Sequence, residues 1–148
     1  MLVRSAEAAD FNRIVQIGQE IHGAITNKSY FNWPAEALAQ ELLKVQTLVV
    51  ESDSQIVSFL CYRDLVDDFE ISVLATCPRW QKKNFQLTLI KTLQKFAAKQ
   101  RKSIILEVHA ENQKALALYK KMQFELIYTR KHYYADAASA LIMSWKLQ

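Results

Sequence analysis

Residues Ile104–Phe124, IILEVHAENQKALALYKKMQF, decide how this chain folds. Ile104, Leu106 and Val108 fall on one face of an extended segment, and Ile105, Glu107 and His109 on the other. That alternation predicts a strand over Ser103–His109, apolar from Ile104 to Val108 except for the acid Glu107. Glu111-Asn112 is a polar break. Ala115, Leu118, Tyr119 and Met122 then recur at helical spacing, which predicts a helix over Asn112–Met122. A carboxylate and a phenol therefore stand on adjacent elements, a pairing suited to acid/base chemistry. Each also has a plainer reading. Ion-paired carboxylates outnumber catalytic ones, and a tyrosine on an apolar helix stripe is usually packed in a core.

Working backwards, Phe85–Gln100 carries Phe85, Leu89, Leu93 and Phe96 on one helical stripe. Before it, Pro78 stops a strand over Phe69–Thr76. Thr47–Glu51 and Gln55–Arg63 read as a hairpin around the polar turn Ser52-Asp53-Ser54. Ala8–His22 is an amphipathic helix closed by Gly23, after a short strand over Leu2–Ser5. Asn32-Trp33-Pro34 opens a second helix with Leu38, Leu42 and Leu43 as its apolar stripe. Working forwards, Phe124–Tyr134 and Ala140–Leu147 read as two closing strands. The order β-α-α-β-β-β-α-β-α-β-β predicts an α/β fold, a mixed sheet with helices on both faces. No linker, repeat or low-complexity tract interrupts it. With 148 residues, 51% of them hydrophobic, the expectation is one domain over 1–148.

No apolar run is long enough to span a bilayer, and the first residues, MLVRSAEAADF, lack the apolar core of a signal peptide. Cys61 and Cys77 form neither a disulfide framework nor a metal-spaced cluster. A reducing cytoplasm is the simplest setting, with no membrane partner. The net charge is +4, but it is unevenly placed. Between Arg79 and Lys102 there are eight basic residues and no acid; between Glu51 and Glu70 there are six acids and one base. The basic stretch suits an anionic ligand. It lacks the interleaved aromatics of a nucleic-acid face, so no nucleic-acid partner is expected.

The element order, the LEVHAEN segment followed by ALALYKKMQF, and the closing RKHYYADAASALIMSWKL resemble the GNAT superfamily of acetyl-CoA-dependent N-acetyltransferases. Within it, the similarity is to bacterial enzymes that acetylate the N-terminal alanine of a small-subunit ribosomal protein. The resemblance implies a GNAT fold and acetyl-CoA as donor, with no metal. It implies that the strand around Leu74 and Thr76 splays from its neighbour and offers backbone groups to the pantetheine arm. It places Gln81, Lys82, Lys83, Asn84, Phe85 and Gln86 at the pyrophosphate loop, and Asn112 near the cofactor. It implies Glu107 as general base and Tyr119 as general acid, with Trp33 and Tyr134 bordering the acceptor groove beside Tyr30, Phe31 and Tyr133.

The loop departs from the family pattern. Where two glycines are usual, this chain has Asn84 and Gln86, and its glycines, Gly18 and Gly23, lie elsewhere. Asparagine tolerates the left-handed conformation; the Gln86 side chain is expected to crowd the phosphates, with Lys82 and Lys83 compensating in charge. His109 shares the face of Glu107 and is a rival acid/base. At neutral pH about a tenth of a terminal amine is neutral, against under a thousandth of a lysine, which favours an α-amine acceptor. The expectation is acetyl transfer to a protein N-terminus by a monomer or homodimer. The alternatives are a small-amine acetyltransferase and a GNAT-fold binding or regulatory protein without efficient transfer.

Overall fold

The computed structural model describes residues 1–24, 30–81 and 83–147. Among them, seven strands run β1 Leu2–Ser5, β2 Gln46–Ser52, β3 Gln55–Asp64, β4 Asp68–Thr76, β5 Ser103–His109, β6 Glu125–Arg130 and β7 Ala140–Trp145. Four α-helices are α1 Phe11–Gly23, α2 Ala35–Leu42, α3 Phe85–Gln100 and α4 Gln113–Lys121. The strands form one sheet in the order β1-β2-β3-β4-β5-β7-β6. Only β4 and β5 run parallel; every other neighbouring pair is antiparallel.

Two apolar layers hold the sheet. On one face α3 and α4 pack Leu89, Ile90, Leu93, Leu116 and Tyr119 onto Leu60, Phe69, Ile104 and Leu106. On the other, α1 and α2 pack Ile14, Ile17 and Leu38 onto Val49, Phe59 and Val73. Gly18 allows the close approach where α1 meets α2. A Cβ there would lie 3.0 Å from Leu38 Cδ2 and 3.4 Å from Phe31 Cζ.

Several expectations are corrected. Ala8–Asp10 is a 3-10 turn ahead of α1, because the Asp10 carboxylate accepts from the Glu7 N–H at 2.8 Å and tightens the first turn. Leu43 is 76% exposed, since α2 ends at Leu42 and the next residue turns outward. Tyr133 and Tyr134 are not in a strand. The strand β6 ends at Arg130, and residues 131–137 form turns with His132 and Ala137 at positive φ.

Among the described residues no glycine sits at positive φ, yet seven others do. Asp53 and Ser54 take φ 51 and 63, the doubly left-handed pair of a tight hairpin turn, joining Ser52 to Gln55. Arg101, at φ 56, closes α3: its N–H bonds Ala98 O and the Lys102 N–H bonds Ala97 O.

Candidate active site

The site begins as a fork in the sheet. Parallel pairing of β4 with β5 runs from Asp68 opposite Ser103 to Ile71 opposite Leu106, and stops. Beyond that rung β4 pairs only with β3, and β5 only with β7. Backbone groups of Ser72–Thr76 that would bond a parallel neighbour instead line a groove of about 1530 Å³. Leu74, Thr76, Gln81, Lys83, Asn84, Phe85, Gln86, Glu107, Asn112, Tyr119, Trp33 and Tyr134 all lie on its wall. Lys82 lies outside the described residues.

The half of this groove at the start of α3 is made largely from local chain geometry. Asn84, at φ 60 and ψ 25, sits left-handed at the N-cap of α3. It adopts the conformation for which a glycine would be the default. The first helical rung is the Thr88 N–H to Asn84 O at 3.2 Å. The N–H groups of the preceding turn thus have no intrahelical acceptor and present a partial positive charge. Gln86 does not crowd this turn, contrary to expectation. Its Nε2 donates to Thr76 Oγ1 at 3.2 Å, which folds the side chain back onto β4. Thr76 Oγ1 also meets Ser58 Oγ at 2.9 Å, so the side chain of Thr76 is used internally and its backbone faces the groove. The Lys83 ammonium lies 5.9 Å from the Trp80 ring centre. Asn112 caps α4, its Oδ1 accepting from the Ala115 N–H at 3.3 Å.

The opposite half gathers side chains from distant parts of the chain. Glu107 is the first β5 residue past the fork. Tyr134 donates its hydroxyl hydrogen to Glu107 Oε1 at 2.8 Å. Burial and the adjoining Glu107 carboxylate push the Tyr134 phenol far up, so it stays a donor. Its ring stacks on His109 at 4.8 Å and 17°. Tyr30 also meets the His109 ring, with centres 4.7 Å apart and the planes tilted by 46°. The Glu111 N–H donates to His109 Nδ1 at 3.1 Å, which leaves the proton on Nε2 to be donated to Asp136 Oδ2 at 2.8 Å. The Ala138 N–H and His109 together hold the Asp136 carboxyl below its ordinary range. The ligand atoms of His109, Glu111 and Asp136 lie within 4.8 Å of one another. Both imidazole nitrogens already have protein partners, however, so the cluster is a hydrogen-bonded brace. Tyr119, 8% exposed, has its phenol pushed up to about 12 by burial. Its hydroxyl has no hydrogen-bond partner among the described residues.

A splayed parallel pair, a helix N-terminus at one end and an acid just past the split share one groove. Residues 12–124 match the profile of the acetyltransferase (GNAT) family. The chain belongs to that family. As a GNAT acetyltransferase it shares 26% identity over 117 residues with a Bacillus subtilis (strain 168) protein provisionally named as a ribosomal protein bS18-alanine N-acetyltransferase. That match spans 76% of this chain and 78% of the relative. The crystal structure of the Escherichia coli ribosomal-protein-S18-alanine N-acetyltransferase superposes with a TM-score of 0.84 at 22% identity, covering 99% of this chain and 95% of that one. Arabidopsis thaliana NAA60, solved in complex with acetyl-CoA, superposes with a TM-score of 0.75 at 16% identity, covering 97% of each chain. Acetyl-CoA is the donor used by this family.

Sequence reasoning missed Asp136, the Glu111 N–H and Ser72. Asp136 reaches His109 across 27 residues, and no local pattern marks such a contact. Ser72 is the extra residue of a bulge, since Cys61 faces Val73 while Tyr62 faces Ile71. Cys61 and Cys77 are free and buried. The Cys77 thiol, pushed up by burial and its bond to Glu20, donates to that carboxylate at 3.0 Å outside the groove's chemistry. No helix among the described residues is long and apolar enough to cross a membrane.

Proposed function

We propose that this acetyltransferase transfers the acetyl group of acetyl-CoA directly to a protein N-terminal α-amine. The observation that carries the reading is the position of Glu107, first past the β4–β5 fork and bonded to Tyr134. When bound, acetyl-CoA supplies an activated acetyl thioester. Its phosphates suit the open N–H turn at Asn84–Leu87 and the charge of Lys83. Its arm suits the free backbone edge at Leu74–Thr76.

Glu107 takes the amine proton, directly or through a water. Its Oε1 is engaged by Tyr134, which leaves Oε2 for the acceptor. Tyr119, protonated across the physiological range, offers its hydroxyl to the departing sulfur. Backbone N–H groups of Ser72–Thr76 polarise the carbonyl. The chemistry needs no metal. Tyr30, Trp33 and Tyr134 border the far end of the groove, where the aromatic walls suit an extended peptide. The named activity of the relatives, on a ribosomal-protein alanine, points the same way. A cytoplasmic setting fits that acceptor.

The binding-protein alternative rested on the glycine-free loop. Asn84 takes the left-handed conformation open to a glycine and the Gln86 side chain bonds Thr76, which supports donor binding at this turn. The test is calorimetry with acetyl-CoA, followed by mass spectrometry of peptides starting with alanine. Micromolar-to-submillimolar binding and a mass gain of one acetyl at the α-amine are expected. No binding at millimolar acetyl-CoA would sink the enzyme reading; modification of small amines alone would sink the peptide acceptor.

A further inference from the structure

Gln86 is the second residue of α3, so its backbone N–H belongs to the open turn at the helix start. Its side chain begins a line of three hydrogen bonds that runs into the sheet. Gln86 Nε2 meets Thr76 Oγ1 at 3.2 Å, Thr76 Oγ1 meets Ser58 Oγ at 2.9 Å, and Ser58 Oγ meets the Ala75 carbonyl at 2.8 Å. The far end fixes the direction. A carbonyl only accepts, so the single Ser58 hydrogen goes to Ala75 O. The Thr76 hydrogen then goes to Ser58, and Thr76 accepts from Gln86. The amide nitrogen therefore faces Thr76, and each hydroxyl donates once and accepts once. Ser58 and Thr76 lie opposite each other on β3 and β4 and are 0% and 5% exposed, so this anchor is part of the core. Thr76 is also the last residue of β4, and both Thr76 and Gln86 line the groove. The line thus ties the first turn of α3 to the end of the splayed strand.

We propose that Gln86 is a positioning residue for the acetyl donor: it latches the α3 turn that would hold the phosphates to the β4 end that would hold the arm. The proposal rests on the acetyl-transfer reading above. One donor must meet the turn and the strand edge together. A turn free to shift against the strand spends part of its time out of register with it, and donor affinity falls with the competent fraction. The latch removes that cost before binding. Gln86 acts through Thr76, whose side chain is itself held by Ser58, and touches none of the reacting atoms. Size alone predicts the opposite. If the Gln86 side chain merely filled space beside the phosphates, truncating it would open the turn and tighten binding.

The experiment measures acetyl-CoA binding by calorimetry for the wild-type chain, Gln86→Ala, Thr76→Val, Thr76→Ser and the double variant Gln86→Ala/Thr76→Val. Gln86→Ala should weaken binding by about three- to tenfold, the range set by one hydrogen bond. Thr76→Val removes the other partner of the same bond and should weaken it comparably. The double variant should bind no worse than the weaker single one, because both substitutions break one link. Thr76→Ser keeps the hydroxyl and should recover most of the loss seen with valine. In turnover with an alanine-initiated peptide, the Gln86→Ala loss should fall on the acetyl-CoA KM and not on kcat, a split that general loosening of the fold would not give. Binding by folded Gln86→Ala within threefold of wild type, or tighter, overturns the proposal. So do single losses that multiply in the double variant. A wild-type chain that binds no acetyl-CoA at millimolar concentration refutes the parent reading instead, so the two failures are distinguishable.

Discussion

The two ends of the groove are built on different principles. At the end proposed for the donor, Asn84 to Leu87 make a cap from neighbouring residues, with one left-handed backbone position and an α-helix behind it. At the acceptor end, Tyr30, Glu107, His109, Tyr134 and Asp136 are brought together from three separate regions of the chain. The donor end is therefore held by backbone conformation, and the acceptor end by a stack of rings and a string of polar contacts. Damage to the first should appear in donor affinity, and damage to the second in turnover and acceptor affinity.

The largest expected effect lies at the acceptor end. Glu107→Gln keeps the shape and still accepts from Tyr134, but it cannot take a proton. It should cut kcat by about 10² to 10⁴ at neutral pH while calorimetry shows unchanged acetyl-CoA binding. A variant that loses donor binding as well would break the division between the two ends.

A smaller effect belongs to the donor end. A β-branched residue in the left-handed region costs roughly 1–2 kcal/mol. Asn84→Val should therefore weaken acetyl-CoA binding by about tenfold, with kcat at saturating donor nearly unchanged. Asn84→Gly should bind at least as tightly as wild type. If valine is tolerated, or glycine weakens binding, the backbone account of the loop fails.

Next comes the brace. His109→Ala removes the ring that both Tyr30 and Tyr134 contact and should free Tyr134 from Glu107. We expect a few-fold to tenfold loss in kcat over acceptor KM, without change in acetyl-CoA affinity. His109→Phe keeps the stack and should recover most of it. Failure of phenylalanine to rescue would mean that the imidazole, rather than the ring platform, does the work.

The same contrast explains what could be read from sequence. The limits of β5 and α3, Ser103–His109 and Phe85–Gln100, follow from runs of alternating or helical apolar residues, each a local signal. Glu107 was visible because an acid interrupts that alternation. The Ser52–Gln55 hairpin was visible because Asp53 and Ser54 suit tight turns. Tyr133 and Tyr134 were placed in a strand because their β-favouring rings outweighed, on paper, the turn that tertiary contacts impose. Asp136 carried no signal, since its partner His109 is met only through folding. Gln86 was misjudged because its role depends on Thr76, ten residues earlier and on another element. Ser72 was hidden because a bulge is a property of pairing, and pairing is not written in one strand.

The smallest effect separates the two ends by charge. Asp136 is exposed, and its carboxyl is held below the ordinary value of about 3.9, first by the Ala138 N–H and then by His109. A depressed carboxyl stabilises the folded loop above its unfolded value, and that contribution is lost as pH falls through the folded one. Acid should therefore loosen residues 136–138 below about pH 4, whereas the Asn84 cap, which holds no titrating group, should be unmoved. Amide NMR shifts recorded from pH 6 downwards read both at once. The Ala138 signal should titrate with a midpoint below 3.9, and the Phe85 signal should stay flat until global unfolding. In Asp136→Asn the Ala138 titration should vanish while the neighbouring ring stack persists. An Ala138 midpoint at or above the ordinary aspartate value would remove Asp136 from the brace and leave His109 held by the Glu111 N–H and its two ring contacts.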